Sequence, residues 1–310
     1  MGVGSGMIGF LGRVGGILPL KLLQPGAGGP LFLPFYHLVS DEPAPHVRHL
    51  YPVVSSRRFR ADLEWILRHY EPVELAALGQ VRYGGKPVFH LSFDDGLRQC
   101  AEVVAPILIE MGIPATFFIN PSFVDNQGLM YRYKASLLAE FWPDRKREVL
   151  SIGYSDRAML DEIAQRVGLD FGIFLSTYRP YMGIVHLNSL AQQGFTLGGH
   201  SLDHPMYKSL EIAEQVRQTV ESVEWVGSRW KMPAAFAFPF TDDGVTTRFI
   251  RSLPGDWMTF GTAGIKLDEE PGHFQRVPME RYDYPAQRMV PGLLLAYWMK
   301  HLIGRGSVRR

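Results

Sequence analysis

A mostly apolar run that ends in two adjacent carboxylates constrains this chain more than any other feature. Residues 88–93 favour a β-strand, and Asp94, Asp95 and Gly96 follow directly. Beyond Gly96, apolar residues recur at the spacing of one buried helical face: Cys100, Val103, Val104, Ile107, Leu108 and Met111. A strand, an acidic corner and a helix in this order predict an α/β protein with a parallel sheet. In such proteins these corners lie at the carboxyl edge of the sheet, where functional sites form.

The two carboxylates repel each other, so their position at a strand end needs a compensating charge. A bound cation would supply that charge and would allow one carboxylate to stay unprotonated as a base. The alternative, an acidic turn that caps a helix, needs only one carboxylate. The sequence therefore favours a cation site at Asp94 and Asp95.

Two histidines four residues apart form a second candidate site. His200 and His204 follow Gly198 and Gly199 at the end of a predicted strand. In a helical turn, residues at this spacing project to one side, so both imidazoles can reach one point. A carboxylate and two imidazoles suit a divalent transition metal that keeps positions open for water and substrate. Zinc is the default metal for hydrolysis, although the spacing does not distinguish it from Co, Ni, Mn or Fe.

Strands alternate with helices along most of the chain, which predicts βα units and one parallel sheet. The predicted strands are residues 31–37, 88–93, 115–119, 195–199, 234–238, 257–260 and 275–278. Residues 125–180 break this alternation, and we expect them to form a helical insertion in a barrel domain of residues 31–288.

Both ends of the chain are apolar. Residues 1–30 are rich in glycine, no basic residue precedes their apolar run, and Arg13 interrupts it. They are therefore a poor signal peptide and too broken to span a bilayer. Residues 289–310 are predicted to form an apolar helix followed by basic residues. Each end either packs on the domain or makes a shallow membrane contact, so we expect a cytoplasmic or peripheral membrane location.

The composition argues against several other classes of function. The chain has 310 residues, of which 46% are hydrophobic and 20% charged, as in an ordinary soluble globular protein. Its formal net charge of +1 provides no global field for nucleic acid, so we expect no nucleic-acid partner. The single cysteine, Cys100, excludes an internal disulfide and a thiolate metal cluster.

The residues around both candidate sites form recognisable motifs. Ser-Phe-Asp-Asp-Gly at 92–96 and His-Ser-Leu-Asp-His-Pro at 200–205 resemble the first two motifs of the polysaccharide deacetylases, carbohydrate esterases that include chitooligosaccharide-deacetylase-like enzymes. The resemblance covers about residues 31–285 apart from the insertion. It implies a distorted (β/α) barrel of about seven strands. It also implies a metal-dependent hydrolase that removes an acetyl or similar acyl group from an N-acetylated sugar, in a glycan or glycolipid.

The resemblance also implies a role for each motif residue. Asp94 would be the general base, and Asp95, His200 and His204 would be the metal ligands. Phe240 stands where the family usually has tyrosine, and its backbone amide would help to hold the oxyanion.

Two features of the family are missing from their usual places. The Leu-x-His motif, whose histidine usually acts as the acid, is absent, which leaves His37, His273 and His301 as candidates. The arginine of the third motif, which orients the base, is also absent, and Arg276 or Arg281 could replace it.

Two other functions therefore remain open at this point. A catalytically silent domain of the same fold could bind a glycan or a partner. A non-haem iron oxygenase also uses two histidines and a carboxylate, but that function leaves Asp94 and the family motifs unexplained.

Overall fold

The computed structural model describes residues 5–25, 30–80, 86–282 and 284–310. Within these residues the α-helices are α1 (Ser5–Gly15), α2 (Leu20–Leu23), α3 (Ser56–His69), α4 (Ala105–Met111), α5 (Tyr131–Phe141), α6 (Lys146–Ser151), α7 (Ala158–Val167), α8 (Phe171–Tyr178), α9 (Ile184–Gln192), α10 (Ile212–Trp230), α11 (Thr247–Ser252) and α12 (Ala286–Leu302). The strands are β1 (Pro34–Tyr36), β2 (Glu71–Pro72), β3 (Val88–Phe89), β4 (Leu91–Phe93), β5 (Ala115–Ile119), β6 (Thr196–Gly199), β7 (Ala235–Ala237), β8 (Met258–Gly261), β9 (Leu267–Asp268), β10 (His273–Gln275), β11 (Val277–Pro278) and β12 (Ser307–Val308).

The core is one parallel sheet of eight strands in the order β10-β8-β7-β6-β5-β4-β1-β11. β10 pairs with β8 at one edge and β11 pairs with β1 at the other, and Arg276 alone separates β10 from β11. One short segment therefore brings the two edges together, and the sheet nearly closes into a barrel.

The structure confirms the predicted fold class and corrects the number of strands. The sequence predicted about seven strands, with a single last strand at residues 275–278. The structure has eight, because the chain changes its pairing partner at Arg276. The amide of Arg276 donates to Gly261 on the β8 side, and the next amide, of Val277, donates to Leu33 on the β1 side.

The strands bring their following residues to one rim because all of them run in the same direction. His37 follows β1, Asp94 follows β4, and His200 follows β6. Phe240 comes three residues after β7, and Glu280 comes two residues after β11. Residues distant in sequence therefore meet at the carboxyl end of the barrel, as parallel α/β sheets require.

The segment after the acidic corner differs in detail from the predicted helix. Cys100–Val104 is a π-helical turn that leads into α4, and Gly112, with a φ of 65°, ends the helix in the left-handed conformation. Cys100 is buried, as its place on the apolar face predicts. Between β5 and β6 the chain forms α5–α9, and α5 contributes a tyrosine to the rim described below.

The N-terminal segment packs on the last helix. Gly12 of α1 lies so close to α12 that an added Cβ would come within 2.1 Å of the Arg288 carbonyl oxygen. The indole of Trp298 donates to the carbonyl of Leu23, which ties the end of α2 to α12. Among the described residues, no helix combines the length and the hydropathy needed to cross a lipid bilayer.

Candidate active site

Four non-glycine residues at the rim have a left-handed backbone conformation. Asp95, Ser201, His204 and Phe240 all adopt positive φ values, of 70°, 63°, 62° and 58°. Non-glycine residues in this region each cost about 1–3 kcal/mol and persist only where the surrounding structure holds them. Their concentration around one point indicates that the fold aims these groups into a site.

Asp95, His200 and His204 form a buried trio of ligand atoms. The Nε2 atom of His204 lies 3.1 Å from Oδ1 of Asp95, and Nε2 of His200 lies 3.4 Å from the same oxygen. Within the described chain none of these three atoms makes a hydrogen bond, although all three residues are buried. Buried polar atoms without a partner are rare in folded proteins, so this trio fits a divalent cation.

The pKa shifts of Asp95 and His204 also suit a metal. Burial alone would raise the pKa of Asp95, but the adjacent His204 and His200 hold it well below its usual range, so the carboxylate stays ionised. Burial lowers the pKa of His204, which eases the loss of the proton that metal ligation requires.

Neighbouring groups orient the ligands. The Nδ1–H group of His200 donates to the carbonyl of Ala237 at 2.8 Å, which leaves the Nε2 lone pair pointing into the site. The hydroxyl of Tyr133, on α5, donates to Oδ2 of Asp95 at 2.6 Å. The amide of Asn120 donates to the His200 carbonyl. Such partners hold ligating side chains in place in metal sites.

Asp94 forms a two-pronged ion pair with Arg276. The guanidinium reaches the two carboxylate oxygens at 2.7 and 2.8 Å, and both side chains are buried. Burial alone would raise the pKa of Asp94, but Arg276 and then His200 hold it below its usual value. Of the two arginines considered from the sequence, Arg276 lies at Asp94, whereas Arg281 lines the cleft.

His37 pairs with Glu280 beside this trio. The Nδ1 atom of His37 contacts a carboxylate oxygen of Glu280, and the backbone amide of His37 donates to the same carboxylate at 3.0 Å. Burial would lower the pKa of His37, but Glu280 raises it to about 9, with smaller contributions from Asp95 and Asp94. His37 is therefore protonated at neutral pH.

An open cleft of about 310 Å³ reaches the trio through Asp95 and His204 and the neighbouring pair through His37. Asp95, His204, His37 and Phe240 all line it. The ring of Phe240 packs edge-on against His204, with centroids 4.3 Å apart. The backbone amide of Phe240 has no hydrogen-bond partner in the described part of the chain, so it is free to bind a ligand.

The structure does not bring His273 or His301 to the cleft, which corrects the expectation that either could be the acid. Both ring nitrogens of His273 are occupied, because Nδ1 lies 2.7 Å from Thr259 Oγ1 and Nε2 lies 3.1 Å from Asp242 Oδ2. His301 is exposed on α12, away from the cleft lining.

The region around His273 also resembles a metal site in composition. Asp242, Asp268 and His273 place ligand atoms close together. The guanidinium of Arg310 already binds Asp268 at 2.9 Å and also binds Asp242. These carboxylates therefore have their compensating charge from the protein.

The sequence analysis does not predict two residues of the site, Glu280 and Tyr133. Glu280 follows the predicted strand 275–278, so the same strand-end rule that selected His37 could have found it. Tyr133 lies in the insertion, where no strand precedes it, and the sequence offers no signal for its contact with Asp95.

A family of known proteins shares the part of the chain that contains most of these site residues. The polysaccharide deacetylase family model matches residues 82–251, which is more than half of the chain. A search of curated protein sequences found no match. The matched range includes Asp94, Asp95, His200, His204 and Phe240, whereas His37, Arg276 and Glu280 lie outside it.

Solved structures show the same fold at low sequence identity. The deacetylase PplD of Streptococcus pyogenes, in complex with acetate, is 13% identical with a TM-score of 0.56, over 85% of this chain and 97% of that one. IcaB from Ammonifex degensii is 15% identical with a TM-score of 0.53, over 86% and 97% of the two chains. A de-N-acetylase from Aggregatibacter actinomycetemcomitans is 15% identical with a TM-score of 0.53, over 85% and 99%. These structures share the fold of this chain, and the family match establishes that the chain belongs to the polysaccharide deacetylase family and is a carbohydrate deacetylase.

Proposed function

We propose that this enzyme removes the acetyl group from an N-acetylated sugar of a glycan or glycolipid, with a divalent metal at Asp95, His200 and His204. The observation that carries the proposal is the set of three buried ligand atoms without hydrogen bonds, placed beside a carboxylate held by arginine. The same arrangement argues against an iron oxygenase, which has no use for the Asp94–Arg276 pair.

Zinc is the metal that best fits the donor set of one carboxylate and two imidazoles in a hydrolase. When bound, such an ion polarises the acyl carbonyl and lowers the pKa of water. Asp95 supplies the anionic oxygen, and Tyr133 keeps that carboxylate in place through its other oxygen.

Asp94 acts as the general base. It accepts a proton from the attacking water, whose oxygen forms the new bond to the acetyl carbon. Arg276 holds Asp94 ionised and limits its rotation through two hydrogen bonds. The backbone amide of Phe240 donates to the carbonyl oxygen as negative charge develops on that atom.

His37 acts as the general acid. It lines the same cleft as Asp95 and His204, and Glu280 keeps it protonated. When the carbon–nitrogen bond breaks, His37 gives its proton to the leaving nitrogen, and the products are acetate and a free amine on the sugar.

Metal content and acetate release test the proposal together. We expect the purified protein to bind one divalent ion and to release acetate from N-acetylglucosamine oligomers. His204→Ala should weaken zinc binding by roughly 100-fold, because it removes a ligand, and excess zinc should restore part of the activity. His186→Ala, on α9 outside the cleft, is the control. Equal zinc affinity in His204→Ala and wild type would refute the ligand assignment, and acetate release by the metal-free protein would refute metal dependence.

The pH dependence tests the His37–Glu280 pair. A histidine with a raised pKa is protonated below that pKa, so acetate release should fall as the pH rises through about 9. Glu280→Gln removes the charge that raises the pKa, so the basic limb of kcat/KM should move down by at least about one pH unit. In the folded protein the stabilising effect of this pair should be complete below about pH 6.5, the ordinary pKa of histidine, and should be lost as the pH rises through about 9. An unchanged basic limb in Glu280→Gln would exclude His37 as the titrating acid.

A further inference from the structure

We propose that an exposed apolar face formed by α1, α2 and the end of α12 docks this protein on a lipid bilayer with anionic headgroups. The face, called the terminal face here, consists of residues from the two chain ends: Met7, Phe10, Val14, Ile17, Leu18, Leu22, Met299, Leu302 and Ile303. The proposal concerns a binding surface and does not depend on the chemistry proposed for the cleft.

The terminal face is the outward side of a packed helix pair. On α1 the inward residues Ile8, Gly12 and Gly15 contact α12, and an added Cβ on Gly15 would lie 3.0 Å from Pro291 and Leu295. Phe10 and Val14 lie at helical spacing on the opposite side of α1, and Ile17 is exposed in the turn that follows the helix. The glycine contacts explain how α1 is held, but they leave its larger apolar side chains in water.

The exposure of this face is high for large apolar side chains. Ile17 is 83% exposed, Leu22 71% and Phe10 65%. At the end of α12, Leu302 is 82% exposed and Ile303 is 66% exposed. Single exposed apolar residues are ordinary, but a cluster of them from two chain ends indicates a binding surface.

The charged residues of the terminal segments indicate an anionic binding partner. The first acidic residue of the chain is Asp41 and the last is Asp283, so neither terminal segment contains one. Arg13, Lys21 and Arg305 are exposed there, and none of these three side chains forms an ion pair within the described chain. An apolar helix face with exposed basic side chains beside it fits the interface of an anionic membrane, in which the apolar groups insert and the cations meet the headgroups.

The terminal face adjoins the cleft through α12. A groove lined by Thr262, Pro278 and Arg281, which also line the cleft, continues to Tyr297 and Lys300 of α12. Met299 and Leu302 of the terminal face lie on the same helical turn as Lys300. When the protein is docked through the terminal face, the end of the groove at Lys300 would therefore lie beside the membrane.

Sedimentation with vesicles tests the proposal on the full chain. We expect wild-type protein to bind vesicles that contain phosphatidylglycerol more tightly than vesicles of phosphatidylcholine alone, and added salt to weaken that binding. The double variant Phe10→Glu, Ile17→Glu should weaken binding at least about tenfold, because it places charge where apolar side chains insert. Ile173→Glu, Val185→Glu is the matched control, since these residues are 64% and 79% exposed on α8 and α9.

Three outcomes would overturn the proposal. If the wild-type protein does not sediment with anionic vesicles, it has no membrane-binding surface. Equal loss of binding in the test and control variants would mean that the terminal face is not the contact. Self-association that Phe10→Glu, Ile17→Glu abolishes, without any vesicle binding, would assign the face to a second copy of the chain. Thermal unfolding and acetate release of the variants, which should match wild type, show that they are folded.

Discussion

Asp94→Asn is expected to lower kcat for acetate release by about 10³-fold, the scale of general-base catalysis. The amide has nearly the same shape as the carboxylate but cannot take a proton from water. The trio of Asp95, His200 and His204 is unchanged in this variant, so its zinc content should equal that of wild type. Acetate release and metal analysis on the same preparation separate a lost base from a lost metal.

Asp203→Asn is the matched control for this experiment. Asp203 lies within the second motif, but it accepts hydrogen bonds from Tyr154 and Gln218 and belongs neither to the ligand trio nor to the Asp94–Arg276 pair. We expect its kcat to stay within a few-fold of wild type. If Asp94→Asn retained wild-type kcat, proton abstraction would belong to another residue.

Arg276→Met should damage both stability and activity. It leaves the buried carboxylate of Asp94 without its partner, and breaking a buried ion pair in this way costs about 3–5 kcal/mol in the free energy of unfolding. It also frees Asp94 to rotate, so kcat should fall even at temperatures where the variant is fully folded. Denaturant unfolding and acetate release measure the two effects separately.

Two further variants make the Arg276 result specific. Arg281→Met removes an exposed arginine from the cleft wall, and its unfolding free energy should stay within about 0.5 kcal/mol of wild type. The double variant Asp94→Asn, Arg276→Met should be more stable than Arg276→Met alone, because it no longer buries an unpaired charge. Additive losses in the double variant would show that the two side chains do not stabilise each other.

Strand-end reasoning on the sequence identified most of the residues that the structure brings to the rim. Asp94, Asp95, His200 and His204 stand directly after apolar strands or within a short motif that follows one, so local pattern was enough to select them. His37 was a candidate for the same reason, as the residue that ends the first strand. The apolar pattern of each strand shows where that strand ends, and parallel strands end at one carboxyl edge, so the residues that follow them can be expected to lie together.

The partners of these residues could not be chosen from the sequence. Arg276 and Arg281 were equal candidates, and the choice depends on a contact across 182 positions, between Arg276 and Asp94. His273 was a candidate acid until the structure showed its ring bonded to Asp242 and Thr259. Such contacts depend on which strands pair and where side chains point, and local periodicity does not specify either.

The sequence by itself therefore determined the fold class, the family and the residues of the candidate metal site, because these follow from short apolar periods and two compact motifs. Only the tertiary structure decided that Arg276 holds Asp94, that Glu280 keeps His37 protonated, and that an eighth strand brings the barrel near closure. Each of these depends on the change of pairing partner at Arg276, which joins the two edges of the sheet and carries residues 276–280 to the rim.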